Sequence, residues 1–342
     1  MESENDFLDI NLKSKNITIE NCICVPYWQC KEDFSGLIED GLNIIDIRIT
    51  KPTNLDPCKG DFDVCCQVEC GRRNTNLPTS FQNDTWKSRI LGENNEADFA
   101  EFPWMLGIIQ RNIFLCGGSL IHPKVVITAA HCVVEDETYI VRAGEWNWAT
   151  KSEPLPYQER SSEKIIVHTK YRPENLENDI ALIILSEPFQ LTENIGVICL
   201  PSTSSPPKKT NENCLVTGWG KSTKGGTYQS ILKKVTLPLV HRRDCSKILG
   251  NIRLGPHFKL HKSFTCAGGN SKDACKGDGG SPLVCPISGH LNRYEQVGIV
   301  SWGLTCGVYQ TPGVYVNVGF FIEWIDREMN NNGFNSRMYK KN

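Results

Sequence analysis

The residues able to do chemistry gather in three short stretches. The first is Cys275-Lys276-Gly277-Asp278-Gly279-Gly280-Ser281-Pro282, a glycine-rich turn with one carboxylate in its middle and a proline at its exit. Glycine at that density lets the backbone take φ > 0 and gather N–H groups into a small concavity. That is how an oxyanion-binding turn is built. The second, Thr128-Ala129-Ala130-His131-Cys132, follows an apolar run, and the third, Asn178-Asp179-Ile180-Ala181-Leu182, places an aspartate just before one. A histidine oriented by a carboxylate is a general base, and such a base has a purpose beside a hydroxyl whose proton it removes. The turn supplies glycine at 277, 279 and 280 and a hydroxyl only at Ser281. Taken singly, His131 reads as a packed histidine and Asp179 as a turn aspartate; the combination is what points to chemistry.

These stretches need a rigid frame. From Ile90 onward, short β-branched and aromatic runs recur between Gly/Pro/Asn turns, at 104–110, 114–121, 125–128, 139–143, 180–185, 215–218, 296–301 and 313–318. This predicts an all-β domain of sandwich or barrel type. Phe321, Ile322, Trp324 and Ile325 fall at helical spacing, which predicts an amphipathic C-terminal helix docked on it. Ahead of this lie a polar, acidic arm (1–21), a cysteine-rich module (22–70) and an exposed linker (71–89); the β domain fills 90–330 and a tail 331–342. The run 42–50, rich in isoleucine, reads as a strand.

A net charge of −2 in 342 residues, with no face-wide basic run, argues against nucleic acid. The short basic clusters Arg72-Arg73, Lys208-Lys209, Arg242-Arg243 and Lys340-Lys341 read as solvated loop charges. Sixteen cysteines point to an oxidising compartment and structural disulfides. The adjacent pair Cys65-Cys66 suits a knotted disulfide module better than Cys-x-x-Cys zinc spacing. No run of ~18 apolar residues is present, so no membrane span is expected. The first residues lack the basic and apolar regions of a signal peptide, while Asn16-Ile17-Thr18 and Asn83-Asp84-Thr85 are glycosylation acceptor patterns of secreted chains. Seven cysteines precede residue 71 and nine follow it, so full pairing requires a bridge between the modules.

In order and context, His131, Asp179 and the turn 277–282 resemble the chymotrypsin-like (trypsin) family, whose chain order is base, carboxylate, nucleophile turn. The resemblance covers about 90–329 and implies two six-stranded β-barrels with a site in the cleft between them. It assigns His131 as the base, Asp179 as its orienting carboxylate, and the amides of Gly277 and Gly279 as the oxyanion hole. Asp273 matches the S1-pocket aspartate, and Ser301-Trp302-Gly303 with Gly313 matches the pocket wall. It further implies the disulfides Cys116–Cys132, Cys214–Cys285, Cys245–Cys266 and Cys275–Cys306, with Cys199 left to bridge to Cys70. Arg89-Ile90 resembles the zymogen activation bond, although Ile-Leu-Gly-Glu follows where the family has Ile-Val-Gly-Gly; Arg48-Ile49 and Arg72-Arg73 are alternative regulatory cuts. Residues 143–147 resemble the opening of the family's calcium loop, with Glu145, Asn147 and Glu153 as candidate ligands; a plain surface hairpin is the alternative.

The departure is at the nucleophile. The family's serine position is Gly279, and Ser281 stands where the family has glycine. Losing the serine alone costs about 10⁶-fold in turnover in a comparable enzyme. His131 and Asp179 are then expected as retained structure, satisfying a buried polar network. The spacing Cys22-x-Cys24-x5-Cys30, then Cys58-x6-Cys65-Cys66, resembles a clip domain, which implies the pairs Cys22–Cys65, Cys24–Cys58 and Cys30–Cys66. Together the two modules resemble clip-domain serine protease homologues. That resemblance implies a catalytically inactive protein secreted into haemolymph and acting as adaptor or cofactor in prophenoloxidase activation. It further implies a switch by proteolysis, with oligomerisation after the cut. Expected partners are prophenoloxidase and its activating protease, with no cofactor required beyond the candidate structural calcium. The alternatives are a decoy or adhesion protein, and a hydrolase using Ser281.

Overall fold

The computed structural model describes residues 22–26, 63–67, 69–75, 95–151, 153–202, 213–220, 227–269, 278–304 and 311–341. The predicted strand at 42–50, Arg48-Ile49, Asn16, Asn83, Arg89-Ile90, Asp273, Gly277, Cys30, Cys58, Cys275 and Cys306 lie outside these residues. The chain divides into two compact units, Met1–Val68 and Glu69–Asn342. In the first, β1 (Cys22–Pro26) and β2 (Asp63–Gln67) pair antiparallel, with Cys24 opposite Cys65 and Ile23 opposite Cys66.

The second unit holds two closed six-stranded barrels, as expected from the resemblance. The first is built from β3 (Met105–Gln110), β4 (Ile113–His122), β5 (Val125–Thr128), β6 (Ile140–Ala143), β7 (Gln158–Val167) and β8 (Ala181–Leu185), in the closed order β3-β4-β5-β8-β7-β6. Its sequence dictates much of this. Val125–Thr128 and Ala181–Leu185 are short apolar runs buried along their whole length, and they pair as neighbours. β3 and β4 turn through Arg111 (φ 51°) and Asn112 (φ 62°), the two left-handed residues of a two-residue hairpin turn. β7 is the strand that hydrophobic runs do not reveal. Its first seven residues, Gln158 to Lys164, are all polar or charged, and β-pairing to β6 and β8 rather than burial places it.

The second barrel closes β9 (Asn213–Gly218), β10 (Lys233–Val240), β11 (Phe264–Gly268), β12 (Pro282–Pro286), β13 (Tyr294–Trp302) and β14 (Pro312–Asn317) in the order β10-β11-β14-β13-β12-β9. Val216, Leu237, Leu239, Leu283, Val297 and Tyr315 fill it. The buried Cys214–Cys285 disulfide runs through that core. A 3₁₀ turn (Val318–Phe321) leads into the C-terminal helix (Ile322–Asn331), which buries Ile322, Trp324, Ile325 and Met329. The tail beyond it is not loose. It ends in a 3₁₀ turn (Ser336–Tyr339) that buries Met338 and Tyr339, and the Tyr339 hydroxyl donates to Asp326.

Cys70 belongs to the second unit, and its bond to Cys199 (S–S 2.04 Å) crosslinks that unit internally, just past the end of the first. Around it, residues 69–75 lie as a strap on the barrels. Gly71 N–H donates to Val197 O (2.7 Å) and Gly71 O accepts from Tyr294 N–H (2.8 Å). The reading of Arg73 as a solvated loop charge is overturned. Its guanidinium donates to Glu101 and to the Tyr294 hydroxyl (3.0 Å) and lies over the Phe102 ring at 5.3 Å. Burial of Glu101 forces the pairing, because a carboxylate removed from water must find a cation. Lys341 is likewise paired, with Glu295, whereas Lys340 stays exposed and reaches Asp326 only at 3.4 Å. Arg72-Arg73 therefore offers no free loop to a cutting protease.

Candidate functional site

Each site residue sits where a strand stops. His131 follows β5 in a 3₁₀ turn (Ala130–Cys132), after the fully buried Ala129. The Cys116–Cys132 disulfide (S–S 2.01 Å) staples that turn to β4. Asp179 stands two residues before β8. The residue ahead of it, Asn178, takes φ 59°, a conformation asparagine tolerates better than most. The Asn178 amide donates to Lys170 O (2.8 Å), and its backbone N–H donates to the Ser263 hydroxyl (3.2 Å). These bonds aim Asp179 at His131. The turn of Gly279 lies between the barrels: Gly117 N–H of β4 donates to Gly279 O and Gly280 N–H donates to Val300 O of β13, each at 2.9 Å. Gly280 takes φ 80°, and a Cβ there would overlap Gly117 O and Thr128 Oγ1, so only glycine closes this turn.

Asp179 is completely buried and triply bonded. One oxygen accepts His131 N–H (2.8 Å), and the other meets His131 Nδ1 (2.8 Å) and accepts the Ser301 hydroxyl (2.5 Å). Sequence reasoning placed Ser301 in the pocket wall and missed this bond, which no spacing signal announces across 122 residues. The imidazole is thus oriented as a base, with its side chain 28% exposed. What Nε2 faces is glycine. A Cβ built on Gly279 would stand 2.7 Å from His131 Nε2, closer than real Cβ atoms approach. The ring fills the room a serine side chain would need.

Ser281 does not fill the gap. Its hydroxyl is fully buried, makes no hydrogen bond, and points toward Gly117 and Gly218. An unpaired buried hydroxyl is unfavourable. Ser281→Ala is therefore expected to raise unfolding stability by about 1 kcal/mol, read from urea melts. A fluorophosphonate probe is expected to leave the wild-type chain unlabelled; labelling at Ser281 would restore the hydrolase alternative.

The other assigned positions divide. Ser301 and Trp302 end β13, Gly303 follows it, and Gly313 lies buried in β14, paired with Ala267 of β11. Asp273 and Gly277, hence the pocket base and one oxyanion amide, lie outside the described residues. Cys214–Cys285 (2.00 Å) and Cys245–Cys266 (1.97 Å) are bonded. The second of these ties the helix Arg242–Leu249 to β11. Asp278 Oδ1 accepts Gly220 N–H at 2.8 Å. His131 lies within 4.8 Å of the Cys116 and Cys132 sulfurs, but these are joined to each other and offer no thiolate to a metal.

In the candidate calcium loop, Glu145 is buried and pairs with Arg142 (2.8 Å), while Glu153 accepts N–H bonds from Trp146 (3.2 Å) and Asn147 (2.7 Å). Burial and the charge of Glu145 push the Glu153 carboxyl up to about 8.

Comparison with known proteins agrees with this geometry. Residues 91–325 match the Trypsin family, and residues 14–67 match the family described as serine protease clip domain PPAF-2. The chain is 45% identical over 287 residues to phenoloxidase-activating factor 2 of Galleria mellonella, covering 79% of this chain and 92% of that protein. It is 38% identical over 335 residues to inactive CLIP domain-containing serine protease A3 of Aedes aegypti, covering 91% of this chain and 67% of that one. To inactive CLIP domain-containing serine protease A8 of Anopheles gambiae it is 36% identical over 323 residues, covering 89% and 87%.

Proposed function

This chain belongs to the clip-domain serine protease homologues of the trypsin family, and from that premise we propose that it is a secreted, catalytically inactive cofactor of prophenoloxidase activation, switched on by a proteolytic cut. The observation that carries the reading is Gly279. The base and its carboxylate are in place, but the atom they would activate is absent and the imidazole occupies its room. Acyl transfer needs a nucleophile before orientation or an oxyanion hole matters. The relatives' names support both halves: one is a phenoloxidase-activating factor and others are inactive proteases. Disulfides at Cys70–Cys199, Cys116–Cys132, Cys214–Cys285 and Cys245–Cys266 support an oxidising, extracellular setting.

For the cut, Arg89-Ile90 is favoured over Arg72-Arg73. A protease needs an extended, accessible segment, and Arg73 is held by Glu101, Phe102 and Tyr294. The partners are prophenoloxidase and its activating protease, met through surfaces and the clip module, with oligomerisation following the cut. The test is reconstitution from purified prophenoloxidase and its activating protease, with and without this chain. Phenoloxidase activity is expected to rise at least tenfold (~1.4 kcal/mol of coupling) with the chain present and cleaved, while arginyl peptide substrates stay intact in its presence alone. The double variant Gly279→Ser/Ser281→Gly is expected to support the same activation. No gain in phenoloxidase activity would remove the cofactor reading and leave a decoy or adhesion protein; turnover of arginyl peptides at protease-like rates would overturn the inactive assignment.

A further inference from the structure

We propose that the loop 144–159 is held by Arg142 as its internal cation and takes no calcium ion. Calcium requires six to eight oxygen ligands at 2.3–2.6 Å, most of them carboxylate and carbonyl. Among the described residues, the oxygens of the candidate ligands are mostly turned toward hydrogen-bond donors. Glu145 Oε1 accepts Trp146 N–H (3.1 Å), and Glu145 Oε2 pairs with Arg142 Nη1 (2.8 Å). Glu153 Oε1 accepts two backbone N–H groups. Asn147 is engaged twice, its side-chain oxygen by Ala149 N–H (3.1 Å) and its carbonyl by Thr150 N–H (3.0 Å). The Asn194 amide takes the carbonyls of Gly144 (3.2 Å) and Pro156 (3.3 Å). Oxygens engaged in this way do not assemble the six to eight free ligands that calcium requires.

The guanidinium supplies what an ion would. Besides Glu145 it bonds Glu159 Oε1 through Nε (2.9 Å) and Nη2 (2.7 Å), joining the two ends of the loop. Its faces lie over the Trp148 ring at 4.5 Å and the Tyr157 ring at 4.0 Å. Arginine alone among cationic side chains combines a permanent charge, a planar donor fork and two stacking faces. The consequence reaches beyond the loop. Trp146 O accepts from Leu232 N–H (2.9 Å) and Trp219 Nε1–H (3.2 Å), and Trp148 N–H donates to Ser230 O (3.0 Å), so the loop fastens the first barrel to the connection between β9 and β10 of the second. With arginine as its cation, this fastening is independent of the calcium concentration.

Thermal unfolding of the full chain, followed by tryptophan fluorescence, tests this. The wild-type Tm is expected to be the same in EGTA and in millimolar calcium, and titration calorimetry with calcium chloride to show no saturable heat. Arg142→Gln is expected to lower Tm by about 2–4 °C, and Arg142→Lys to recover only part of the loss, since an ammonium keeps the charge without the fork or the stacking. A saturable calcium-dependent rise in the wild-type Tm would overturn the proposal, and so would an Arg142→Gln chain that melts with the wild type. If Arg142→Gln does not fold, Arg142→Lys and the wild-type calorimetry decide the matter alone.

Discussion

Replacing Asp179 with alanine lowers the unfolding free energy of the disulfide-bonded chain by about 3–5 kcal/mol, the expected result if this carboxylate is structural. Asp179 has no exposed surface, yet it accepts from His131 N–H, from the His131 ring and from the Ser301 hydroxyl. Hydrogen bonds to a charged acceptor contribute about 1.5–3 kcal/mol each. Alanine removes all three and leaves a cavity lined with donors. In an active protease the same substitution is read through turnover, which mixes the loss of a catalytic group with the loss of a fold. With turnover lost at Gly279, as proposed above, stability alone reports. His131→Ala is expected to cost only about 1 kcal/mol, because the ring is partly exposed and Asp179 then keeps the backbone N–H of residue 131 and Ser301. Asp179→Asn should fall between, since the amide keeps one acceptor oxygen. Urea melts at constant m-value make the comparison. If Asp179→Ala costs less than about 1 kcal/mol, the retained pair is not structural and another role must be sought for it.

This explains why a chain can drop a nucleophile and keep the groups around it. The serine of a protease is exposed at the end of its turn, and replacing it with glycine leaves no buried group unsatisfied. The aspartate is buried under bonds from two other elements and cannot be removed alone.

Much of the site was legible because its residues sit at strand ends, where apolar runs break in recognisable ways. Val125–Thr128 points to His131, Ala181–Leu185 points back to Asp179, and a dense glycine turn marks 277–282. The barrels were legible where strands are apolar and obscure where they are not. Gln158–Val167 reads as a polar stretch, and Lys233–Val240 contains two lysines and a proline. Long-range polar bonds left no mark at all. Nothing about Ser301 in the sequence says that it reaches Asp179, nor does anything about Ser281 say that its hydroxyl points into the floor of the turn. Charges misled most. Arg73 and Lys341 look like loop decoration, because a charged pair at a distance in sequence has no local pattern, only a partner.

Glu101→Gln is expected to cost about 3 kcal/mol and to open the strap 69–75. The Glu101 side chain is 1% exposed. It accepts from Arg73, from Lys234 Nζ at 2.7 Å and from Asp98 N–H at 2.8 Å. It therefore joins the strap to β10 of the second barrel. An amide keeps the size but withdraws the charge, which leaves two cations facing a neutral group in a partly buried place. The Cys70–Cys199 bond still holds the strap covalently, so what is lost is its order rather than its attachment. Trypsin then distinguishes the two states. Cleavage after Arg72 or Arg73 requires the segment to open, and its rate follows the population of the open form. A cost of about 3 kcal/mol corresponds to a rise of about a hundredfold in cutting at these residues, while cutting elsewhere is unchanged. Arg73→Ala in the same background should add little further destabilisation, because the two residues share one interaction and their effects do not add. If the Arg72-Arg73 bond is cut as fast in the wild type as in Glu101→Gln, the ionic clasp does not order the strap, and Arg72-Arg73 returns as a candidate for the regulatory cut.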